Sequence, residues 1–178
     1  MVKNYQQAWH LANTDFEFKA TEFELAFIRF NEAFSRYVLS VGIVTMNLDV
    51  EVKYQEIIIL HIVRMLDRPK SGAMIARLVN RDDIPNIQYS LRKLESAGLI
   101  EKQKDRNSKT FSYVATPKGI IVTDEYNELR SKILISRLED ITGAAEKFEK
   151  GARLLSLMTG IYEEAARDSA TFAPRAAE

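Results

Sequence analysis

The chain has 178 residues, 46% of them hydrophobic and 28% charged, and its 25 basic side chains equal its 25 acidic ones. It contains no cysteine and only two histidines, His10 and His61, which excludes thiol chemistry, cysteine-ligated zinc and a histidine-rich metal site; we expect no cofactor. The start of the sequence lacks the apolar core of a signal peptide, and the aliphatic run at residues 57–60 is far shorter than the ~20 residues that span a bilayer. We therefore expect a soluble, cytoplasmic protein without a membrane partner.

The middle of this neutral chain is basic. Residues 64–119 carry a net charge of +6, whereas residues 1–63 and residues 120–178 carry −3 each. Such a segment is typical of a module that binds nucleic acid, although an ordinary cluster of surface charges gives the same count. The fold has to distinguish the two interpretations.

Five aromatic residues near the start of the chain follow a helical period. Their spacing of 4, 3, 4 and 3 places them on one stripe: Phe23, Phe27, Phe30, Phe34 and Tyr37. We predict a helix over residues 14–40, with Thr14 or Asp15 as its N-cap and Gly42 at its end. The stripe favours packing on another helix over a ligand box, so residues 1–51 are interpreted as a helical arm for dimerisation, with a possible role in contacting an effector.

Two further helices precede a polar turn. Residues 52–66 are apolar on most sides, which predicts a central, buried helix. It ends before Pro69, because the residue before a proline disfavours helix. Ser71 then caps a short helix over residues 72–80, which leads into the turn.

The next helix and two strands complete the middle of the chain. Pro85 suits a first helical turn, and a buried stripe is predicted at Ile84, Ile87, Leu91 and Leu94, ending before a left-handed cap, Gly98. Alternating residues then predict strands over 99–104 and 110–115, joined by a polar loop over 105–109. Thr116 and Pro117 restart helix.

The last third of the chain reads as helix up to about residue 168. Its apolar positions keep a 4, 3 alternation from Leu134 to Ala166, a longer stripe than a small domain covers by itself. Residues 120–168 are therefore interpreted as dimerisation helices, with kinks or close crossings at Gly143, Gly151 and Gly160. Residues 169–178 are expected to form a flexible tail.

A short helix, a tight turn, a second helix and a hairpin form a winged helix-turn-helix. The second helix ends in Leu-Glu-x-x-Gly-Leu-Ile at residues 94–100, and the wing leads to Thr-x-x-Gly at residues 116–119. With these motifs the chain resembles the MarR family, regulators of the multiple-antibiotic-resistance type, over about residues 52–120. The resemblance implies a mainly α fold with a small β-hairpin, in which a winged helix-turn-helix at residues 52–119 is flanked by N- and C-terminal dimerisation helices.

A major groove about 12 Å wide accepts one helix, so the outward face of the helix after Pro85 is the expected reading face. The candidate DNA contacts are this face, its flanks, the preceding helix cap and the wing cations: Ser71, Pro85, Asn86, Gln88, Tyr89, Arg92, Lys93, Lys102, Lys104, Arg106 and Lys109. Asn86 and Gln88 suit adenine, Arg92 suits guanine, and Tyr89 suits a phosphate or a thymine methyl group. Lys93 suits a phosphate. The alternative is a merely solvated helix face.

The wing of MarR-like regulators reaches the minor groove through a cation, and its loop usually holds two aspartates and two arginines. Here Asn107 and Ser108 stand near the places of the second acid and the first base. Either Arg106 or Lys109 could take the minor-groove role, and the sequence leaves both open.

MarR-like regulators often bind small, frequently aromatic anions between the arm helices and the DNA-reading lobe. The candidate effector contacts here are Trp9, His10, Phe16, Arg29, Tyr37, His61 and Arg64. The competing interpretations are a buried core histidine for His61 and packing of the arm on a partner subunit for Trp9 and His10.

The leading hypothesis is a homodimeric, sequence-specific transcriptional regulator of MarR type, a repressor relieved by a small aromatic or anionic ligand. Such a dimer reads a roughly palindromic site in double-stranded DNA, with half-sites about 34 Å apart. The alternative is a winged-helix protein-interaction module without duplex readout. An enzyme is not expected, because the sequence has no phosphate-binding glycine loop, nucleophile motif or metal-ligand spacing.

Overall fold

The computed structural model describes residues 9–46, 52–104 and 111–172. Its helices are α1 (Asp15–Met46), α2 (Tyr54–Arg64), α3 (Gly72–Leu78), α4 (Ile84–Ser96), α5 (Pro117–Arg130), α6 (Ser136–Glu139) and α7 (Ala144–Ser169), and its strands are β1 (Lys70–Ser71), β2 (Ile100–Lys104) and β3 (Phe111–Ala115). The chain divides into one unit that ends at Leu129 and a second that begins at Arg130. Within the described ranges, every helix is too short or too polar to cross a bilayer.

Helix α1 begins where the sequence predicts but ends later. The Thr14 hydroxyl accepts a hydrogen bond from the Glu17 N–H at 3.1 Å, and the Glu17 carboxylate accepts one from the Thr14 N–H at 3.2 Å. The predicted end at Gly42 is wrong, because this glycine lies inside the helix at its contact with α2. A Cβ atom there would lie 2.3 Å from Ile57 Cδ1, so Gly42 allows a close helix crossing instead of ending the helix.

Helix α2 is the centre of the core, as its all-round apolar pattern predicts. Ile57, Ile59, Leu60 and Val63 are almost fully buried. The partners that cover them come from α1, α3, α4, β2 and α5: Val38, Val41, Ile75, Ile87, Leu91, Leu94, Ile100 and Val122. The buried stripe predicted for α4 is thereby confirmed at Ile87, Leu91 and Leu94, and these residues fix which face of that helix is left outside. The predicted first member, Ile84, is wrong: it is the first residue of the helix and is 42% exposed.

Lys70 closes the end of α2. It is 0% exposed, and its ammonium group donates hydrogen bonds to the carbonyl oxygens of Val63 at 3.0 Å, Arg68 at 3.1 Å and Met65. Between Met65 and Arg68 the chain turns through two left-handed residues, Leu66 (φ 65°) and Asp67 (φ 44°). Burial lowers the pKa of Lys70 below its usual value, and the charge of Arg68 lowers it further. The ammonium group supplies donors for carbonyls that a helix end leaves unpaired.

The sheet is antiparallel, with strand order β1-β3-β2. The two longer strands confirm the predicted wing, in the register Ile100 opposite Ala115 and Lys104 opposite Phe111. Strand β1 was not predicted, because two residues are too few to show an alternating pattern. The predicted loop over residues 105–109 lies outside the described residues.

The wing is joined to α5 through a predicted cap. Gly98 has φ 71°, as expected of the left-handed residue that follows a helix. The Thr116 hydroxyl donates to the Gly98 carbonyl at 2.6 Å and accepts from the Gly119 N–H at 3.1 Å. This one side chain therefore links the end of α4 to the start of α5.

The second unit is helical, as predicted, and one of the three expected kinks occurs. After a π-helical segment, Ser131–Ile135, the chain forms α6 and then breaks at Gly143, which has φ 69°. Gly151 and Gly160 lie within α7, where an added Cβ would meet nothing within 4 Å. None of the 26 residues of α7 is buried. Of the predicted tail, residues 173–178 lie outside the described residues.

Candidate nucleic-acid interface

Helix α4 presents the face that the sequence assigns to base reading. Its N-cap, Asp83, accepts a hydrogen bond from the Asn86 N–H at 3.3 Å, and Pro85 occupies the first turn. Rotation by 100° per residue places the exposed Tyr89 and Arg92 opposite the buried stripe. Tyr89 is 57% exposed. A phenol ring and a guanidinium group thus point away from the core on a helix that is fixed from behind.

The flanks of this face are engaged within the protein. The Asn86 side-chain amide donates to the Asp83 carboxylate. The Gln88 amide oxygen accepts a hydrogen bond from the Tyr113 hydroxyl at 3.4 Å. The Gln88 amide nitrogen lies 2.5 Å from the place that a Cβ atom on Gly72 would occupy. Gln88 therefore lies against the start of α3 and against β3.

The two lysines nearest to Arg92 are paired with carboxylates. Lys93 Nζ lies 3.6 Å from Glu56 Oε2 and Lys102 Nζ lies 2.9 Å from Glu95 Oε2. The hydrogen bond to Glu95 raises the pKa of Lys102, while the nearby positive charge of Arg92 opposes that rise. No ion pair of Arg92 occurs within the described part of the chain, so its charge is available to a ligand.

The remaining candidates lie at the base of α3 and on the wing. The Ser71 hydroxyl accepts from the Met74 N–H at 3.2 Å, which makes it the N-cap that the sequence predicts. Lys104 is exposed at the end of β2. Arg106 and Lys109 lie outside the described residues, so the choice between them stays a prediction.

The chain is similar to known proteins in sequence and in fold. The family profile described as "Winged helix DNA-binding domain" matches residues 52–119. No curated protein sequence matches the chain. Three solved structures have the same fold. The chain is 22% identical to the transcriptional regulator BldR from Sulfolobus solfataricus (TM-score 0.64), over 78% of this chain and 95% of BldR.

The other two come from Staphylococcus aureus. One is MarR in complex with salicylate and kanamycin, 16% identical with a TM-score of 0.64, over 84% of this chain and 95% of that one. The other is the MepR–DNA complex, 14% identical with a TM-score of 0.59, over 78% and 96%. The chain carries a winged helix DNA-binding domain within the MarR fold. The resemblance predicted from residues 94–100 and 116–119 is thereby confirmed.

The profile that matches residues 52–119 is that of a DNA-binding domain. The described residues contain no group of three or more His, Asp or Glu side chains that could hold a metal ion. The chemistry that the arrangement offers is hydrogen bonding and charge at the surface of α4 and the wing.

The candidate effector residues fall into separate places in this MarR fold. Trp9 and His10 line a groove of about 320 Å³ along the first half of α1. Phe16 and Arg29 are exposed on α1, and Tyr37 is partly buried. The candidate effector residues therefore do not form one site.

The other two candidates belong to α2. His61 packs edge-on against Tyr126 of α5, with ring centroids 4.3 Å apart. Arg64 pairs with Asp67 and lies 3.8 Å from Asp124. It also lines a cavity of about 180 Å³ with Val63, Arg68, Val114 and Ile120, and its buried Nε makes no hydrogen bond.

Three residues that position the interface were missed in the sequence. Glu56 binds two residues of α4, Glu95 holds the wing through Lys102, and Lys118 donates to the Ala97 carbonyl at the end of α4 at 3.0 Å. Only Glu56 left a usable signal, since a carboxylate in an otherwise apolar, buried helix requires a partner.

Proposed function

We propose that the protein is a homodimeric, sequence-specific transcriptional regulator, a repressor that a small aromatic or anionic ligand releases from double-stranded DNA. The observation that carries the proposal is the exposed pair Tyr89 and Arg92 on the outer face of α4, in a winged helix DNA-binding domain. Such a function places the protein in the cytoplasm, as the sequence predicts.

Base reading is assigned to the outer face of α4. Arg92 is free of carboxylates within the described residues and suits the O6 and N7 acceptors of guanine, and Tyr89 suits a phosphate or a thymine methyl group. Asn86 and Gln88 can reach adenine only by giving up their contacts with Asp83 and Tyr113. We therefore rank them below Arg92 as readers.

Phosphate contact is assigned to the wing and to the turn before α3. Lys104 is exposed, and Lys102 can exchange its bond with Glu95 for a phosphate because its side chain is 37% exposed. Ser71 and Pro85 lie at the starts of the two helices, where backbone N–H groups favour anions. Arg106 and Lys109 complete the wing tip as candidates for the minor groove.

A second copy of the chain is the proposed partner of the terminal helices. Along α1 the rings of Phe16, Phe27, Phe30 and Phe34 are exposed, and α7 exposes Phe148, Leu154, Leu157 and Ile161. A lone soluble chain rarely leaves apolar faces of this length in water. We propose residues 1–51 and 120–168 as dimerisation arms.

An effector site is proposed at one of the two places that hold candidate residues. The structure of S. aureus MarR contains salicylate, a small aromatic carboxylate. The cavity beside Arg64 offers the unpaired Nε to such a group, and the groove beside Trp9 and His10 offers an apolar surface. Titration of labelled protein with aromatic acids, in Arg64→Ala and Trp9→Ala variants, distinguishes the two.

The decisive experiment is selection of bound duplexes from a random pool. We expect a two-fold consensus with half-sites one helical turn apart. On that duplex Arg92→Ala should cost about 1–3 kcal/mol of specific binding, as expected of a base contact. Arg167→Ala, an exposed arginine on the side of α7 away from Leu154 and Ile161, is the matched control and should bind normally.

Unchanged binding by Arg92→Ala would refute the reading face, and a pool without enrichment would refute duplex readout. The alternative, a module that docks an acidic protein partner, predicts no duplex binding even at low salt. DNA binding predicts an affinity that falls with salt by a log–log slope of about −0.9 per phosphate contact.

A further inference from the structure

Glu56 joins α2 to the inner flank of α4. Its Oε1 accepts a hydrogen bond from the Ser90 hydroxyl at 3.1 Å, and its Oε2 lies 3.6 Å from Lys93 Nζ. The same Oε2 accepts from the Lys53 N–H at 2.7 Å, at the start of α2. Both carboxylate oxygens are therefore occupied, and two of the three partners belong to the DNA-reading helix.

This contact lies in the protein interior. Glu56 is 3% exposed and Ser90 is 1% exposed, and the Lys93 side chain is only 19% exposed. A buried carboxylate without a partner is costly, so the charge of Glu56 holds Lys93 against α2. Lys93 cannot keep this position and also extend to a phosphate outside.

The contact is directional, whereas the apolar packing beneath α4 is not. Ile87, Leu91 and Leu94 bury apolar area, which resists separation of the helices but weakly resists small rotations. The hydrogen bond of Ser90 loses strength when the helix turns, and the ion pair of Lys93 lengthens. Their shared flank lies between the buried stripe and the face of Tyr89 and Arg92.

We propose that Glu56 is a positioning residue that fixes the rotation of α4 and that Lys93 is its counter-ion and not a phosphate contact. The inference rests on the proposed DNA binding for its effect on affinity, but the Glu56–Lys93 pair itself is testable without DNA. The role of counter-ion replaces the phosphate contact that the sequence suggests for Lys93.

The first test measures coupling by urea unfolding of Glu56→Gln, Lys93→Met and the double variant. Because substitutions at residues that share a buried contact are not additive in free energy, we expect the double variant to change the folding equilibrium constant about ten-fold less than the product of the two single changes. Additive effects would overturn the pair, whether or not the protein binds DNA. If a single variant does not fold, the double variant Glu56→Met with Lys93→Met, which removes both charges, replaces it in the urea unfolding comparison.

The second test uses the selected duplex and a scrambled one at several salt concentrations. Lys93→Met should leave the salt slope unchanged, whereas Lys104→Met, the matched exposed cation, should reduce it by about 0.9 if it meets a phosphate. Glu56→Gln should reduce the ratio of specific to non-specific affinity about ten-fold, because α4 is less firmly oriented.

A loss of about 0.9 in the salt slope of Lys93→Met would return Lys93 to the phosphate contacts and overturn the proposal. An unchanged specificity ratio in a folded Glu56→Gln variant would also overturn it. If the natural chain binds neither duplex, the proposed function fails, and the coupling measurement still decides whether Glu56 fixes α4.

Discussion

Two glycines show how differently a single added methyl group acts at two places in the chain. At Gly119 a Cβ atom would lie 2.0 Å from the Leu99 carbonyl oxygen, whereas at Gly151 it would meet nothing within 4 Å. Gly119→Ala should therefore force α5 away from the base of the wing and cost about 1–3 kcal/mol. Gly151→Ala should gain up to about 1 kcal/mol, because alanine is the better helix former.

Urea unfolding of both variants measures the two effects with opposite signs. A loss of stability in Gly151→Ala would show that a second chain packs against that position. An unchanged Gly119→Ala would contradict the close approach of α5 to Leu99.

Lys70 is a further residue whose substitution should have a definite effect on stability. Lys70→Met removes the donor shared by the Val63, Met65 and Arg68 carbonyls. Because charged hydrogen bonds in a buried place contribute more than neutral ones, we expect a loss of about 2–3 kcal/mol in the free energy of unfolding. Lys19→Met, in which the lost charge is exposed, should change stability by less than about 0.5 kcal/mol.

The pH dependence of the same residue has a definite sign. The pKa of Lys70 is lower in the folded chain than in the unfolded chain, so the unfolded chain binds the proton more tightly. Stability should therefore fall as the pH decreases from the ordinary lysine pKa, 10.5, through the folded-state pKa. This pH-dependent change in stability should be absent in Lys70→Met. An identical dependence of stability on pH in the natural chain and in Lys70→Met would contradict the prediction.

At the scale of elements, α4 is held on three sides by side chains of other elements. Glu56 holds it from α2, Lys102 pairs with Glu95 from β2, and Lys118 binds the Ala97 carbonyl from α5. The proposed reading face is thus a surface whose orientation is fixed from behind. Rigid placement lowers the cost of ordering that DNA binding would otherwise require.

Sequence patterns predicted these elements well where a period repeats several times. The caps at Thr14, Ser71 and Thr116 and the left-handed Gly98 were predicted because their chemistry is local. Strand β1 was missed because it has only two residues. Gly42 was misread as a helix end because its role, space for Ile57, depends on a residue far along the chain.

At the scale of the whole molecule, α7 determines the expected oligomeric state. Leu154 and Ile161 are seven residues apart on one face, and both are exposed in the single chain. Leu154→Glu with Ile161→Glu would place charges in the proposed interface, so we expect monomers in sedimentation velocity at micromolar concentration. Affinity for a two-fold site should fall about 100-fold, because the second half-site contact is no longer intramolecular.

Arg167→Glu is the control for this experiment, since Arg167 is exposed, pairs with Glu163 along α7 and lies on the side of the helix away from Leu154 and Ile161. It should leave both the molecular mass and the DNA affinity unchanged. A double variant that remains a dimer would assign dimerisation to α1 or to another surface.

The sequence by itself determined the order of the longer helices and strands and the buried residues of α4, and hence its outward face, because period, caps and turns act over a few residues. It also determined the resemblance to the MarR family. Only the tertiary structure decided which polar side chains are free. Arg92 and Lys93 are neighbours of the same charge, yet among the residues that the structure describes only Lys93 meets a carboxylate, which lies 37 residues earlier in the chain. Such pairings depend on how helices pack, and no local pattern records them.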